Sequence, residues 1–96
     1  MAEDIAVEHD PALSRFVARL EGQEAVLKYR LQGPVMDVYH TYVPPVFRGR
    51  SIAERLCRTA FEHAKAHGLT VIPSCPYVAE TYLKRHPEYE PLTRRG

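Results

Sequence analysis

Tryptophan is absent from this chain of 96 residues, and its two cysteines, Cys57 and Cys75, do not form a CxxC pair. No disulfide framework is therefore indicated, and a reducing, cytoplasmic setting is the expectation. Long apolar runs are missing as well, so no membrane-spanning segment is predicted. The first ten residues, MAEDIAVEHD, are acidic where a secretory signal would be positively charged and then apolar.

A strong excess of charge of either sign is also lacking. Thirteen Lys and Arg residues stand against twelve Asp and Glu, and the net charge of +1 excludes a generally polybasic nucleic-acid binder. A local basic patch is present, but it lacks an aromatic platform on which bases could stack. His63 and His67 have the spacing of one helix face but no third ligand, so no metal site is predicted. The basic patch comprises Arg48, Arg50, Arg55 and Arg58.

The composition is that of an ordinary globular protein, with 45% apolar and 26% charged residues. A chain of this length predicts one domain over residues 1–96, with a core over about residues 13–92. Such a domain buries enough surface to fold without disulfides or metal, and we expect it to be a monomer.

The first half of the chain has the pattern of β-strands. Strands are predicted at Phe16–Leu20, Ala25–Leu31 and Val35–Val43, with an earlier short one at Ile5–Glu8. Short turns containing glycine separate the last three of these segments. Turns of this length imply an antiparallel meander.

Beyond Pro44-Pro45 the apolar period becomes helical. A helix is predicted over Ser51–His67, followed by a short buried strand at Leu69–Ile72 and a second helix near Tyr77–Arg85. The predicted fold class is α+β: a small mixed sheet in which an antiparallel meander precedes a β-α-β crossover, with two main helices. The stripe expected to face the core consists of Ile52, Ala53, Leu56, Cys57, Ala60, Phe61 and Ala64.

The turn before the long helix has the parts of an anion site. The first N–H groups of a helix lack intrahelical partners and carry partial positive charge. Gly49 lets a ligand approach the backbone, and Arg48 and Arg50 supply charged donors. These parts together predict a site for a pyrophosphate. The alternative is an ordinary helix start, because Ser51-Ile52-Ala53-Glu54 also has the pattern of a capping box.

Four blocks of sequence, taken in order, resemble a known family. They are His40-Thr41-Tyr42-Val43-Pro44, Arg48-Gly49-Arg50-Ser51-Ile52-Ala53, Pro73-Ser74-Cys75-Pro76-Tyr77-Val78 and His86-Pro87-Glu88-Tyr89. They are similar to the small YjdJ-type N-acetyltransferase-like domains of the GNAT acetyltransferase superfamily, over about residues 16–92. The resemblance implies acetyl-CoA as the ligand, held in a splay between the strands Val35–Val43 and Leu69–Ile72.

The same resemblance assigns the cofactor contacts. Phosphates of acetyl-CoA or CoA are expected on the loop and helix start, while backbone N–H groups of the preceding strand polarise the thioester. The superfamily's loop pattern, Gln/Arg-x-x-Gly-x-Gly/Ala, is met only in part, because Val46 supplies no side-chain donor and Ser51 replaces the second small residue. Full-size members carry extra N-terminal helices for which there is no room here, so the acceptor pocket is expected to be open or incomplete. The expected cofactor-binding residues are Tyr42, Val43, Phe47, Arg48, Gly49, Arg50, Ser51, Ile52 and Ala53.

Cys75 follows the short strand, where the resemblance places the acetyl thioester. Thiolates attack thioesters, so a covalent acetyl-Cys75 intermediate is one hypothesis. A helix beginning at Pro76 would favour the thiolate. The alternatives for Cys75 are an unreactive residue that lines the ligand and a buried core residue. Cys57, on the apolar helical stripe, is predicted to lie in the core.

Tyr82 and His40 complete the candidate catalytic set. Superfamily enzymes often use a tyrosine of the last helix to protonate the departing thiolate, and Tyr82 is the nearest candidate, although the match falls closer to Leu83. Tyr77 and Tyr89 are further options. His40 is expected one residue from the thioester end, where it would act as general base for an acceptor amine. For each of these residues the alternative is a packing role.

The sequence therefore predicts an acetyl-CoA-binding domain that is an N-acetyltransferase for an unidentified amine, either a small molecule or a protein lysine. The alternatives are a non-catalytic acyl-CoA-binding or sensing module and a protein-interaction domain on a retained fold. Neither nucleic acid nor a membrane is expected as a partner.

Overall fold

Five β-strands form one mixed sheet in the computed structural model, which describes residues 5–47 and 51–94. The first four strands pair antiparallel, each with the next, and the fifth pairs parallel with the fourth. The predicted meander followed by a parallel crossover is therefore confirmed. The strands are β1 (Val7–Asp10), β2 (Arg15–Leu20), β3 (Gln23–Gln32), β4 (Val35–Tyr42) and β5 (Thr70–Pro73).

The helical segments follow the prediction in position but not in every detail. Helix α1 spans Ile52–Ala66, and a later stretch consists of a π-helical segment, Val78–Tyr82, that continues into the short helix α2, Leu83–Arg85. One-turn 3₁₀ helices occupy Pro11–Leu13 and Pro45–Phe47, and a longer 3₁₀ segment, Pro87–Leu92, follows α2. In the described part of the chain, no helix is long and apolar enough to cross a membrane.

The tight turn between β2 and β3 fixes their register. Glu21 and Gly22 both have positive φ angles, 53° and 76°, as a two-residue hairpin of the primed type requires. Such a turn matches the right-handed twist of the two strands it joins, so Leu20 pairs directly with Gln23. This turn is where the sequence predicted it.

Helix α1 packs its apolar stripe on one face of the sheet. Six of the seven predicted stripe residues are buried, and only Ala53 is partly exposed. The helix ends before Gly68, whose φ of 67° is the left-handed conformation that glycine adopts easily. The predicted capping box does not form, because Ser51 has a φ of 55° and its side chain makes no capping bond.

The sheet has two different faces. The inner face, which contacts the helical segments, carries the buried side chains Phe16, Leu27, Met36 and Val38. The opposite face, called the outer face here, carries Lys28 and Arg30, which alternate with inner-face residues along β3. Within residues 5–47 and 51–94, the buried side chains of all helical segments belong to the inner-face cluster.

A β-bulge interrupts the alternation along β4. Lys28 of β3 lies opposite His40, but the next residue, Tyr29, lies opposite Val38, so Tyr39 is an extra residue. Residues directly opposite each other share a face, which places His40 with Lys28 on the outer face. Tyr39 also lies there, because the Arg30 guanidinium stacks over its ring at 4.3 Å from the centroid. Two successive side chains therefore point to the outer face.

Candidate functional site

The parallel strands β4 and β5 separate at their carboxyl ends, and the opening between them is called the fork here. Their pairing ends at Val38 and Pro73, whereas β4 continues to Tyr42 with β3 on one side only. The Cys75 N–H donates to the Val38 carbonyl at 2.9 Å, which closes the fork at its narrow end. On the side away from β3, the backbone groups of β4 beyond this point face no other strand among the described residues, so they are available to bond a ligand.

Cys75 lies at the narrow end of the fork, on the inner face. Its Sγ is 3.5 Å from Oγ1 of Thr41, which pairs with the inner-face residue Leu27. The thiol therefore bridges the fork from the β5 side to the β4 side, and its residue is 5% exposed. The sequence predicted that Cys75 directly follows this strand, and the family resemblance implied that the strand end lies beside the thioester.

Cys57 has the opposite surroundings. It is completely buried on α1, as its place on the apolar stripe predicted. Burial raises the pKa of its thiol far above the ordinary value, and the neighbouring Cys75 and Glu54 add to this rise. The Cys57 thiol therefore stays protonated at neutral pH and serves as a core residue.

A cleft of about 230 Å³ opens on the inner side, between the start of α1 and the last helical stretch. Two arginines of α1, Arg55 and Arg58, line it, and Arg58 is exposed. The one carboxylate among the lining residues, Glu54, is engaged by Arg85 at 2.6 Å. The cleft therefore presents the type of basic side chain that binds phosphate groups. The lining residues are Ser51, Glu54, Arg55, Arg58, Tyr82 and His86.

Part of the predicted phosphate loop lies outside the described residues. Arg48, Gly49 and Arg50 lie outside the described residues. Ser51 is exposed and lines the cleft, whereas the Phe47 and Ile52 side chains are 1% and 2% exposed and belong to the core. Ala53, Tyr42 and Val43 follow or precede this turn, and Tyr42 is 53% exposed at the open end of the fork.

Tyr82, rather than Leu83, lines the cleft. The Leu83 N–H donates to the Val78 carbonyl five residues back, so the helix gains one residue in this turn and Tyr82 comes to the position beside α1. Its ring stacks against Phe61 with centroids 5.7 Å apart. Leu83 is buried in the inner-face core. The one-residue mismatch noted in the sequence coincides with this π-helical turn.

The Tyr82 hydroxyl is buried and has no hydrogen-bond partner among the described residues. A buried hydroxyl without a partner carries a desolvation penalty, and a ligand in the cleft would relieve it. Burial also raises the pKa of Tyr82 well above its ordinary value, so it remains a proton donor at neutral pH. Its role as a general acid stays a prediction.

Tyr77 and Tyr89, the other two tyrosines considered as general acids, have different surroundings. The Tyr89 hydroxyl donates to Oε2 of Glu62 at 2.6 Å, which commits it to a structural bond. Tyr77 is partly buried, and burial together with Cys57 and Glu54 raises its pKa to about 12. Tyr77 does not line the cleft formed by Arg55, Arg58 and Tyr82.

His40 does not join Cys75 on the inner face. The bulge at Tyr39 turns His40 to the outer face, where it is exposed beside Lys28. The structure thus brings Cys75 and Thr41 together on one side of the fork and sets His40 on the other. A general base at His40 would serve only an acceptor that enters from the outer face.

Asp37 and Ser74 form a polar pair that the sequence analysis missed. Ser74 Oγ donates to Asp37 Oδ1 at 2.6 Å across the narrow end of the fork. Asp37 lies opposite Arg30, so it shares the outer face with His40. The signal was present in the sequence, because a carboxylate two residues before the divergence of two parallel strands lies at the edge of their opening.

The comparisons with known proteins agree with this architecture. The family described as GCN5-related N-acetyl-transferase matches residues 15–92. Protein NATD1 of Homo sapiens is 37% identical over 93 residues, covering 94% of this chain and 81% of the human protein. Protein NATD1 of Xenopus tropicalis is 36% identical over 96 residues, covering 97% of this chain and 87% of the frog protein. The solution structure of a GCN5-like protein from Staphylococcus aureus superposes with a TM-score of 0.74 at 20% identity, covering 99% and 93% of the two chains.

Proposed function

The chain belongs to the GCN5-related N-acetyltransferase family, and on that premise we propose that it binds acetyl-CoA and transfers the acetyl group to an amine. The observation that carries the proposal is the fork between β4 and β5. It exposes unpaired backbone of β4 directly beside the Cys75 thiol. A thioester lying in the fork would have hydrogen-bond donors for its carbonyl oxygen and a nucleophilic sulfur within reach.

The residues present fit the two ends of acetyl-CoA. The cleft beside the start of α1 offers the exposed Arg58 to phosphate oxygens, and the predicted loop is expected to add Arg48 and Arg50. Tyr82 also lines this cleft, and its buried hydroxyl has no hydrogen-bond partner among the described residues, so it is available as a donor to a ligand. These features support the assignment of CoA to the inner side of the sheet.

Bound acetyl-CoA supplies an acetyl carbon that is activated by its thioester. In the direct route, the acceptor nitrogen forms the new bond to that carbon while the carbon–sulfur bond breaks. Backbone N–H groups near Tyr42 and Val43 stabilise the oxyanion, and His40 takes the proton released by the amine. Tyr82 gives a proton to the departing sulfur. The amine proton thus goes to His40 and the sulfur is protonated by Tyr82, so the reaction needs no further reactant.

In the covalent route, the Cys75 thiolate attacks first. Cys75 gains the acetyl group and the CoA sulfur leaves with the electron pair, protonated by Tyr82. The acceptor amine then attacks the acetyl-cysteine, loses its proton to His40 and releases the Cys75 thiolate. The contact between Cys75 and Thr41 supports this route because it holds the thiol at the fork.

A second candidate function is a non-catalytic acyl-CoA-binding or sensing module. It is favoured by the outer face, where no helix among the described residues covers the fork and shapes an acceptor pocket. Acetyl transfer to a panel of amines, measured beside CoA affinity, separates the two functions. We propose a cytoplasmic location for either, since both cysteines are free thiols.

Titration with acetyl-CoA, CoA and pantetheine tests the proposed binding site. We expect CoA to bind more tightly than pantetheine, and Arg48→Ala to weaken CoA by about 1–3 kcal/mol through loss of charged hydrogen bonds. Pantetheine affinity should not change in this variant. Arg19→Ala is the matched control, because Arg19 is exposed far from the cleft and bonded to Glu8 and Glu24. Equal affinity for CoA and pantetheine would overturn the phosphate site.

A further inference from the structure

The cations of the outer face fall into two groups. Arg15 is ion-paired with Asp10 at 3.3 Å and with Glu24 at 3.2 Å. Arg19 is ion-paired with Glu8 at 2.8 Å and with Glu24 at 3.0 Å. These two arginines lie toward β1 and β2, away from the fork, and their charges are balanced by neighbours.

The cations nearest the fork are not balanced in this way. Among the described residues, neither Lys28 nor Arg30 has a carboxylate within ion-pair distance. The Arg30 guanidinium is instead held over the Tyr39 ring at 4.3 Å, which orients it while leaving its N–H groups free for a ligand. Unpaired cations next to a site attract anions to it.

Each of these cations lies opposite a proton acceptor on β4. Lys28 pairs with His40 and Arg30 pairs with Asp37, and all four residues share the outer face. β4 is the strand that borders the fork, and β3 is one strand farther away. A row of proton acceptors therefore lies beside the fork, and a row of free cations lies parallel to it at the spacing of adjacent strands, about 5 Å.

We propose that the acceptor is a small amine that carries an anionic group, a carboxylate or a phosphate, a few bonds from its nitrogen. The inference rests on the proposed function, because CoA on the inner side leaves the outer face as the approach to the thioester. An acceptor lying across the two strands places its amine beside His40 and Asp37 and its anion on Lys28 and Arg30. The amine nitrogen bonds to the acetyl carbon, its proton passes to His40 and the thioester sulfur leaves.

The test compares matched pairs of amines with acetyl-CoA: glycine with glycinamide, β-alanine with its amide, and phosphoethanolamine with ethanolamine. Each amino-acid amide has the less basic amine and thus the larger neutral fraction, so intrinsic chemistry favours the amide. We expect the anionic member of each pair to have a KM about tenfold lower, the size of one exposed charge-assisted contact. The carboxylate and phosphate pairs show which anion is preferred.

Variants of Lys28 and Arg30 test whether these two side chains cause the preference for anionic amines. Lys28→Ala and Arg30→Ala should raise the KM for the anionic amines about tenfold relative to the KM for the neutral ones, and Lys28→Arg should keep the preference. Arg19→Ala, which removes a balanced cation of the same face, should have no effect. If anionic and neutral amines are acetylated equally well, the inference is overturned while the proposed function stands.

If no acetyl transfer is detected, a binding measurement still tests the acceptor class. Backbone amide resonances of β3 are followed by NMR in the CoA-bound protein while β-alanine or its amide is added. If the protein transfers no acetyl group but Lys28 and Arg30 shift with β-alanine and not with its amide, the ligand class is supported and the transferase activity is refuted by the missing transfer. An absence of shifts with both, together with an absence of transfer, would overturn both proposals.

Discussion

At the scale of single residues, the two cysteines show how position decides chemistry. Cys57 is enclosed by the core, and burial raises the pKa of its thiol. Cys75 lies at the fork within 3.5 Å of the Thr41 hydroxyl. A cysteine side chain is thus a buried core residue at Cys57 and a candidate nucleophile at Cys75.

Incubation with acetyl-CoA should therefore add about one acetyl group per chain at Cys75, through thioester exchange. Intact mass and peptide mapping would detect it, and Cys75→Ser should abolish the label. Cys57 should stay unlabelled as long as the protein is folded. Full acetyl transfer by the Cys75→Ser protein would show that the direct route operates instead.

Tyr82 and Tyr89 can be compared in the same way as the two cysteines, by removing each hydroxyl in turn. Tyr82→Phe should slow acetyl transfer by about a hundredfold, the usual contribution of a general acid. Its stability should not fall, since the Tyr82 hydroxyl has no partner among the described residues. Tyr89→Phe should leave transfer unchanged but cost about 1 kcal/mol of stability, because it removes the bond to Glu62. Activity assays and thermal melts of both variants measure these effects, and a swapped outcome would refute the assignment.

At the scale of secondary structure elements, α1 anchors the last helical stretch. Phe61 is 1% exposed, and its ring stacks against Tyr82 at 5.7 Å and Tyr89 at 5.1 Å. The three rings join α1 to the segments that follow β5. Loss of the central ring would loosen the wall of the cleft as well as the core.

Phe61→Ala should lower the free energy of unfolding by about 3–5 kcal/mol, the range for a buried phenylalanine. Lys65→Ala, on the exposed side of the same helix, should change it by less than about 0.5 kcal/mol. Denaturant unfolding monitored by circular dichroism gives both values. Similar losses for the two variants would mean that Phe61 does not carry the packing described.

The apolar period of α1 and the strand-turn-strand pattern before it were sufficient to predict the fold. Strand ends were predicted to within two residues, because alternation and glycine turns are local properties of the chain. The position of Cys75 followed from the same local pattern. The loop 48–50 was predicted to bind phosphate, and that prediction remains open because those residues lie outside the described part.

Two of the features that local patterns missed involve one extra residue. Counting alternate residues along β4 places His40 on the inner face with Met36 and Val38, but the bulge at Tyr39 turns it outward. The π-helical turn before Leu83 displaces Tyr82 in the same manner. Both insertions depend on how a segment packs against its neighbours, which a period of 2 or 3.6 residues does not contain.

At the scale of the whole molecule, a chain of imidazoles joins the edge of the sheet to α1. His9 of β1 stacks on Phe16 at 4.4 Å and lies 4.5 Å from His63, which stacks on His67 at 4.1 Å. Burial lowers the pKa of His9 and of His63, and the neighbouring imidazoles lower both further, while Asp10 partly opposes this for His9. The folded protein therefore holds the His9 and His63 imidazoles neutral near pH 7.

Stability should then fall as the pH drops below about 6.5, the ordinary histidine pKa. In this range the unfolded chain takes up protons that His9 and His63 resist, so the free energy of unfolding decreases with decreasing pH. Thermal melts between pH 7.5 and 5.5 would show the loss, and His63→Gln should reduce its slope. A Tm that is unchanged or higher at pH 5.5 would contradict this account.

The order of strands in the sheet also determines how the molecule is expected to fold. Each of β2, β3 and β4 pairs with the strand before it through a short connection, whereas the β4–β5 pairing requires α1 to fold back on the sheet. Nearby pairings form early because closing a short loop costs little entropy. The fork is thus expected to be completed last, after the rate-limiting barrier. A ligand bound there would lengthen the lifetime of the native state without accelerating its formation.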